Sequence, residues 1–375
     1  MKKIIAVCTA LAVLLLSLCT VQAAEISVTN AEAFVLYCVE NGEVVLAKDA
    51  NKRMQPASTT KLMTVLLTLE EAAKNDRVIT FTQDMTAEGS SMYLKLGEKL
   101  RLSDLATGMM LCSGNDAANA AALSLAGDFK GFANLMNTRA KQIGMEHTHF
   151  VTPSGLHDAE HYTTAYDMAL LMAEGLRNEA FANLTFQKTA TVRFVHPSDK
   201  SVTYSNHNRL LRQYPDCIGG KTGYTSEAGR CLVSAARRDN VTLICVTLND
   251  KTDWDDHAAL YDAGFAQLSG YRSSDGSFCV DVPCVGGEQS TVAVMGARDV
   301  ALVTESGKAE IIQRKIYLDA FVYAPVQAGD TLGHIDYVLD GKVLDSVPLT
   351  AAEDVAAHTV RKNLFEKLKE FFTYG

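Results

Sequence analysis

Ser58 and Lys61 stand three residues apart in the stretch Pro56-Ala57-Ser58-Thr59-Thr60-Lys61. The apolar run Leu62, Met63, Val65, Leu66, Leu67 and Leu69 that follows predicts a helix starting at this point. On a helix, residues i and i+3 share a face, so the hydroxyl and the amine can meet within hydrogen-bonding reach. A serine is a weak nucleophile until a neighbouring base takes its proton, and a lysine is that base only when held neutral. Burial and a nearby second cation both lower a lysine pKa. Alone the pattern is weak, since an N-cap serine followed by a surface lysine is spelled the same way. Two further motifs add weight. Ser113-Gly114-Asn115 offers a hydroxyl that can relay a proton and an amide that can hold a peptide group. Lys221-Thr222-Gly223, continued by Tyr224, offers an ammonium and a hydroxyl for a carboxylate, and a glycine where a substrate can lie against the backbone. The three together point to acyl transfer through a serine.

These residues need a scaffold that brings distant segments together. Phe34 to Val39 and Val44 to Leu46 read as a β-hairpin across Asn41-Gly42. Further strands are expected at the Lys-Thr-Gly segment, at Cys231 to Ala235 and at Val241 to Val246, the last two joined at Asp239-Asn240. Residues 59–185 between them read as mostly helical, with clear patterns at Asn115–Ala126, Phe132–Ile143 and Thr164–Leu176. Trp254 to Leu268 predicts a helix returning to the sheet. Periodicity alone gives a mixed α/β class. Tyr271 to Gly276 reads as a linker, and short strand-like runs after it predict a small β-rich domain over 277–355, with a hairpin turn at Asp340-Gly341.

The chain has 375 residues, 47% of them hydrophobic and 21% charged, enough apolar material for a real core. Its net charge of −9, with no basic patch interleaved with aromatics, argues against nucleic acid as a partner. Lys2 and Lys3, the apolar run Ile4 to Leu18 and the small-residue site Val21-Gln22-Ala23 predict a signal peptide over 1–23 and an extracytoplasmic protein. Of the nine cysteines, Cys8 and Cys19 leave with that peptide, so an odd number remains. Cys279 and Cys284 are close enough in sequence to bridge, although spacing alone does not decide it. Near the C-terminus Leu364, Phe365, Leu368, Phe371 and Phe372 form one apolar helix face among Arg361, Lys362, Lys367 and Lys369. Residues 358–375 are therefore expected to form an amphipathic helix able to lie on a membrane surface.

The order Ser-x-x-Lys, Ser-x-Asn, Lys-Thr-Gly is the motif set of the penicillin-binding proteins and serine β-lactamases. The contexts Ser113-Gly114-Asn115-Asp116-Ala117-Ala118, Gly155-Leu156-His157-Asp158, Thr164-Ala165-Tyr166-Asp167 and Gly220-Lys221-Thr222-Gly223-Tyr224-Thr225 sharpen the match. From about Ala31 onward the chain resembles the serine D-alanyl-D-alanine carboxypeptidases, the low-molecular-mass penicillin-binding proteins. The resemblance implies an α/β fold: a transpeptidase-like domain over 24–270, made of an antiparallel sheet and a helical subdomain, followed by the β-rich domain and the terminal helix. It implies peptidoglycan stem peptides ending in D-Ala-D-Ala as substrate, β-lactams as covalent ligands, and no metal or organic cofactor. By residue, it implies Ser58, Lys61 and Ser113 as catalytic. It gives Asn115, Lys221, Thr222, Gly223 and Tyr224 to substrate binding, with the backbone N–H groups of Ser58 and Tyr224 as oxyanion hole.

Some residues compete with this reading. His147, His149, His157 and His161, with Asp158 and Glu160, have metal-ligand spacings, yet the resemblance accounts for the stretch without a metal. His207, Arg209 and Thr222 are alternative carboxylate ligands, and Arg209 reads slightly more readily as a surface charge. No Glu-x-x-x-Asn element stands in a convincing loop position, which favours carboxypeptidase over β-lactamase. A catalytically silent wall-binding protein is disfavoured by the intact motifs.

Overall fold

The structure, a computed structural model, describes residues 29–359. The expected signal peptide and the apolar-faced C-terminal helix lie outside the described residues. Strands β1 (Ala33–Cys38) and β2 (Glu43–Lys48) form the expected hairpin. Two small antiparallel pairs follow, β3 (Val78–Thr80) with β4 (Lys99–Arg101) and β5 (Thr189–Arg193) with β6 (Ser201–Ser205). Strands β7 (Cys217–Thr225), β8 (Gly229–Arg238) and β9 (Val241–Leu248) complete a five-stranded antiparallel sheet of order β2-β1-β9-β8-β7. Every residue of β1 and β9 is buried, as continuous apolar runs covered on both faces require. Successive side chains of β1 point to opposite faces. Val35 and Tyr37 enter one core with the helices, while Phe34, Leu36 and Cys38 enter another with Tyr261 and Phe265. Asp239 and Asn240 both take positive φ (46° and 67°), the backbone that a two-residue hairpin turn demands.

Between β2 and β5 lie six helices: α1 (Lys61–Ala72), α2 (Leu102–Leu111), α3 (Asn115–Ala126), α4 (Phe129–Ile143), α5 (Ala165–Arg177) and α6 (Glu179–Phe186). Their ends follow local chemistry. Asp128, Thr164 and Asn178 accept the N-terminal amide hydrogens of α4, α5 and α6. After them come the one-turn α7 (Leu210–Gln213) and α8 (Asp253–Gln267), which covers the second sheet face.

Tyr271 to Gly276 is not a free linker. β10 (Leu268–Ser273) starts directly after α8 and pairs along its whole length with β13 (Val300–Glu305). Asp275 then accepts from Arg314 and from the Tyr337 hydroxyl, so the Ser-Asp-Gly composition reflects a buried anchor as well as turns. The remaining strands are β11 (Cys279–Val285), β12 (Thr291–Gly296), β14 (Gln313–Leu318), β15 (Val322–Tyr323), β16 (Thr331–Leu339) and β17 (Lys342–Ala351). They form one sheet in the order β14-β16-β17-β12-β11-β15 over a core of Val282, Val292, Val294, Ile335, Tyr337, Val347 and Leu349. Cys279 and Cys284 are both free thiols. They lie five positions apart on β11, one exposed and one buried, on opposite faces and beyond the reach of a disulfide.

Candidate active site

Ser58 sits in a single 3-10 turn, Ala57–Thr60, that leads directly into α1. The turn places Ser58 Oγ 2.9 Å from Lys61 Nζ. Lys61 is fully buried, and its amine also donates to the Ser154 carbonyl oxygen at 2.7 Å. Burial, and after it the charge of Lys221, hold the Lys61 amine well below the usual lysine value. Lys221 is buried as well, and burial lowers its pKa to about 8. Lys221 thus keeps its proton near neutrality, and its charge adds to burial in favouring the neutral form of Lys61.

Ser113 lies in the turn between α2 and α3, and Asn115 is the first residue of α3. Ser113 adopts φ of 62°, a left-handed conformation uncommon outside glycine and typical of functional turns. Its hydroxyl is buried with no hydrogen-bond partner, and so is the side-chain oxygen of Asn115. Orphaned buried polar atoms are costly, and a substrate that pairs with them recovers that cost. The Asn115 amide nitrogen is fixed by donating to the Glu88 carbonyl at 2.6 Å, so its orphaned oxygen is already oriented.

β7 is an edge strand of the sheet and runs past Ser58. A β-carbon at Gly223 would stand 3.0 Å from the amide nitrogens of Ser58 and Thr59, so glycine lets β7 lie this close to the nucleophile's turn without pushing it back. An open strand edge beside a nucleophile can take an extended peptide as an additional strand. Beyond it, Asn206, His207, Arg209, Thr222, Gly223, Tyr224, Arg230, Asp253 and Trp254 line a cavity of about 420 Å³. His207, Arg209 and Thr222, the three alternative carboxylate ligands, line this one cavity, with His207 and Arg209 exposed at its surface.

Sequence reading gave no role to three supporting residues. Asp116, almost fully buried, accepts from Ser91 Oγ, Met92 N, Leu94 N and Ala117 N and so clamps the 91–94 loop to the Ser113 turn. Ser154 supplies the carbonyl that Lys61 meets. Gly155 takes φ of 79° and packs so tightly that a β-carbon there would overlap the Ala57 carbonyl at 1.8 Å. The only signal for them was proximity to a motif. Asp116→Ala is expected to lower the melting temperature, by about 2–4 kcal/mol of stability. It should also slow penicillin labelling about tenfold as the loop loosens. Thermal melts and labelling rates check both.

The histidine cluster is dispersed. His149 Nδ1 bonds to the Glu160 carbonyl, His157 to Gln55, and His161 to Thr60. Among the described residues no three His, Cys, Asp or Glu side chains converge as metal ligands.

A serine hydrogen-bonded to a fully buried lysine, at the joint of a helical cluster and the edge of an antiparallel sheet, is the arrangement of a serine acyl transferase. Residues 19–252 match the D-alanyl-D-alanine carboxypeptidase family, and residues 273–357 match the penicillin-binding protein 5 C-terminal domain. The chain belongs to the D-alanyl-D-alanine carboxypeptidase family and is a serine-type carboxypeptidase. It is 32% identical to D-alanyl-D-alanine carboxypeptidase DacF of Bacillus subtilis over 336 residues, 87% of this chain and 86% of that one. It is also 32% identical to DacC of Escherichia coli over 354 residues, 89% of this chain and 86% of that one. The crystal structure of penicillin binding protein 5 from Haemophilus influenzae superposes with a TM-score of 0.68 at 28% identity, covering 88% of this chain and 98% of that one.

Proposed function

We propose that this carboxypeptidase removes the terminal D-alanine from peptidoglycan stem peptides through an acyl-enzyme on Ser58. The observation that carries the reading is the fully buried Lys61 amine 2.9 Å from Ser58 Oγ, its pKa lowered by burial and then by Lys221. Lys61 takes the hydroxyl proton as Ser58 attacks the carbonyl between the two D-alanines. The Ser58 and Tyr224 backbone N–H groups stabilise the oxyanion. Ser113, whose hydroxyl awaits a partner, passes a proton to the leaving D-alanine, and Asn115 holds the acyl-side peptide group. Lys221 and Thr222 bind the terminal carboxylate, with His207 and Arg209 on the same cavity wall. Water then hydrolyses the ester. A β-lactam presents a strained amide to the same serine and remains attached as an ester.

The apolar and basic pattern over 361–372 supports attachment to a membrane surface after export, and no helix of the described residues is long and apolar enough to cross a membrane.

The test is D-alanine release from a diacyl-Lys-D-Ala-D-Ala peptide, beside the same peptide with its C-terminus amidated. Release from the acid, at least about tenfold faster than from the amide, is expected, because the amide offers no charge to Lys221. Equal rates would overturn the carboxylate assignment. The lifetime of a penicillin label separates this reading from a β-lactamase. A label that persists for hours supports the carboxypeptidase, and rapid turnover of the drug rejects it.

A further inference from the structure

His161 is buried to 2% exposure, bonds to no residue given a role in the reaction, and joins two segments that must be held in register. On one side its Nε2 lies 2.9 Å from Thr60 Oγ1, in the turn that carries Ser58 and Lys61. On the other, Nδ1 accepts from the backbone N–H groups of Val151 and Thr152 at 3.1 and 3.2 Å. An Nδ1 that accepts two amide hydrogens carries no proton, so the ring is the neutral Nε2–H tautomer and donates to Thr60. Burial supports the same state by lowering its pKa to about 4, against the raising effect of Asp158 and with the charge of His149 adding to the fall.

The loop that His161 holds leads directly to the base. Thr152 Oγ1 accepts from Gly155 N and donates to the Leu156 carbonyl, closing the turn 152–156 on itself. Thr64 Oγ1 in α1 donates to the Pro153 carbonyl at 2.6 Å. The next carbonyl, that of Ser154, accepts from Lys61 at 2.7 Å. A neutral amine has two hydrogens and one lone pair. Fixing one hydrogen on the Ser154 oxygen restricts where the lone pair can point, and Ser58 Oγ lies within its reach.

We infer that His161 is a positioning residue for the acylation step: it ties the 151–156 loop to the Thr60 turn so that the Ser154 carbonyl orients the Lys61 amine toward Ser58. This rests on the reading of Lys61 as the general base. His161 touches neither the substrate nor the reacting atoms and acts through Ser154.

The experiment is the pH dependence of penicillin acylation for the full exported chain and for His161→Leu and His161→Asn, with melting temperatures recorded for each. The groups that bear on Lys61 are Lys221, Cys112 and Asp116, and none is altered. A carbonyl oxygen stabilises the ammonium more than the amine, so displacing Ser154 lowers the Lys61 pKa further. His161→Leu is therefore expected to acylate about 30- to 100-fold more slowly at its optimum, while its acid limb moves to lower pH. Asparagine places its Oδ1 where Nδ1 accepted and lacks the reach to Thr60, so His161→Asn should recover about tenfold of the loss with part of the shift. Should His161→Leu fail to fold, His161→Asn against wild type carries the same comparison. A folded variant with wild-type rate and limb overturns the inference. So does a loss that merely follows the folded fraction with the acid limb unmoved. Wild-type protein that takes no penicillin label removes the acylation reading itself, and this inference falls with it.

Discussion

Ser58→Ala is expected to lose D-alanine release and penicillin labelling together, by at least about 10⁴-fold, with the fold intact. Ser58 is half-buried in a turn whose closing bonds come from Thr59 to the Pro56 carbonyl, so deleting its oxygen removes no bond that holds the turn. No other hydroxyl stands in for it. The Ser113 hydroxyl has no hydrogen-bond partner and hence no base touching it, and Thr60 is engaged by His161. Residual release in the alanine variant above the uncatalysed rate would point to a different nucleophile and overturn the assignment. Intact labelling with lost release would be equally damaging, since both reactions are assigned to the same oxygen.

The second large effect concerns the base. Lys61→Met keeps a buried unbranched side chain and removes the amine, and it is expected to slow acylation by about 10³-fold or more. Lys61→Arg is the sharper test. It places a permanent cation beside Lys221, and a guanidinium does not release its proton at working pH, so it should be as inactive as the methionine variant. If arginine retained activity, the residue would be acting through its charge and not as a base. The pH dependence follows with its sign. On the acid side the rate falls as Lys61, depressed by burial and by Lys221, takes up a proton and ceases to accept one from Ser58. On the alkaline side it falls near pH 8 as Lys221 loses the charge that binds carboxylate. A bell with that upper limb, measured by penicillin acylation, is the expected profile, and Lys61→Met should have no acid limb.

Much of this site was legible because its chemistry is written in short local motifs. Helical spacing alone put Lys61 against Ser58, and the β-prone runs at Cys231 to Ala235 and Val241 to Val246 gave strands that the structure contains. The helix Asn115–Ala126 begins and ends where its pattern predicts. What escaped was non-local. The orientation of Lys61 depends on the Ser154 carbonyl, a backbone atom that any residue type supplies, 93 positions away. Asp116 entered the reading only as part of the sequence around Ser113, whereas it collects the amides of a loop 22 to 24 positions upstream. The β5–β6 hairpin went unread because its strands are half-exposed, mix threonine with charge and lack a long apolar run. The linker reading failed for the opposite reason: Ser, Asp and Gly mark turns, but here pairing with β13 and the Asp275 anchor decide the conformation.

That junction has a mechanical consequence. α8 passes into β10 without an intervening loop, and β10 is hydrogen-bonded to β13 from Leu268↔Glu305 to Ser273↔Val300. A bending force on the second domain therefore meets a two-stranded ribbon loaded along its length, where six residue pairs must separate together. The ribbon behaves as a strut and not as a pivot, so a torque applied at Val355 is carried to the sheet that holds β7. Cutting the chain after Ser273 would part β10 from β13 and leave a bare strand edge on each half, open to self-association.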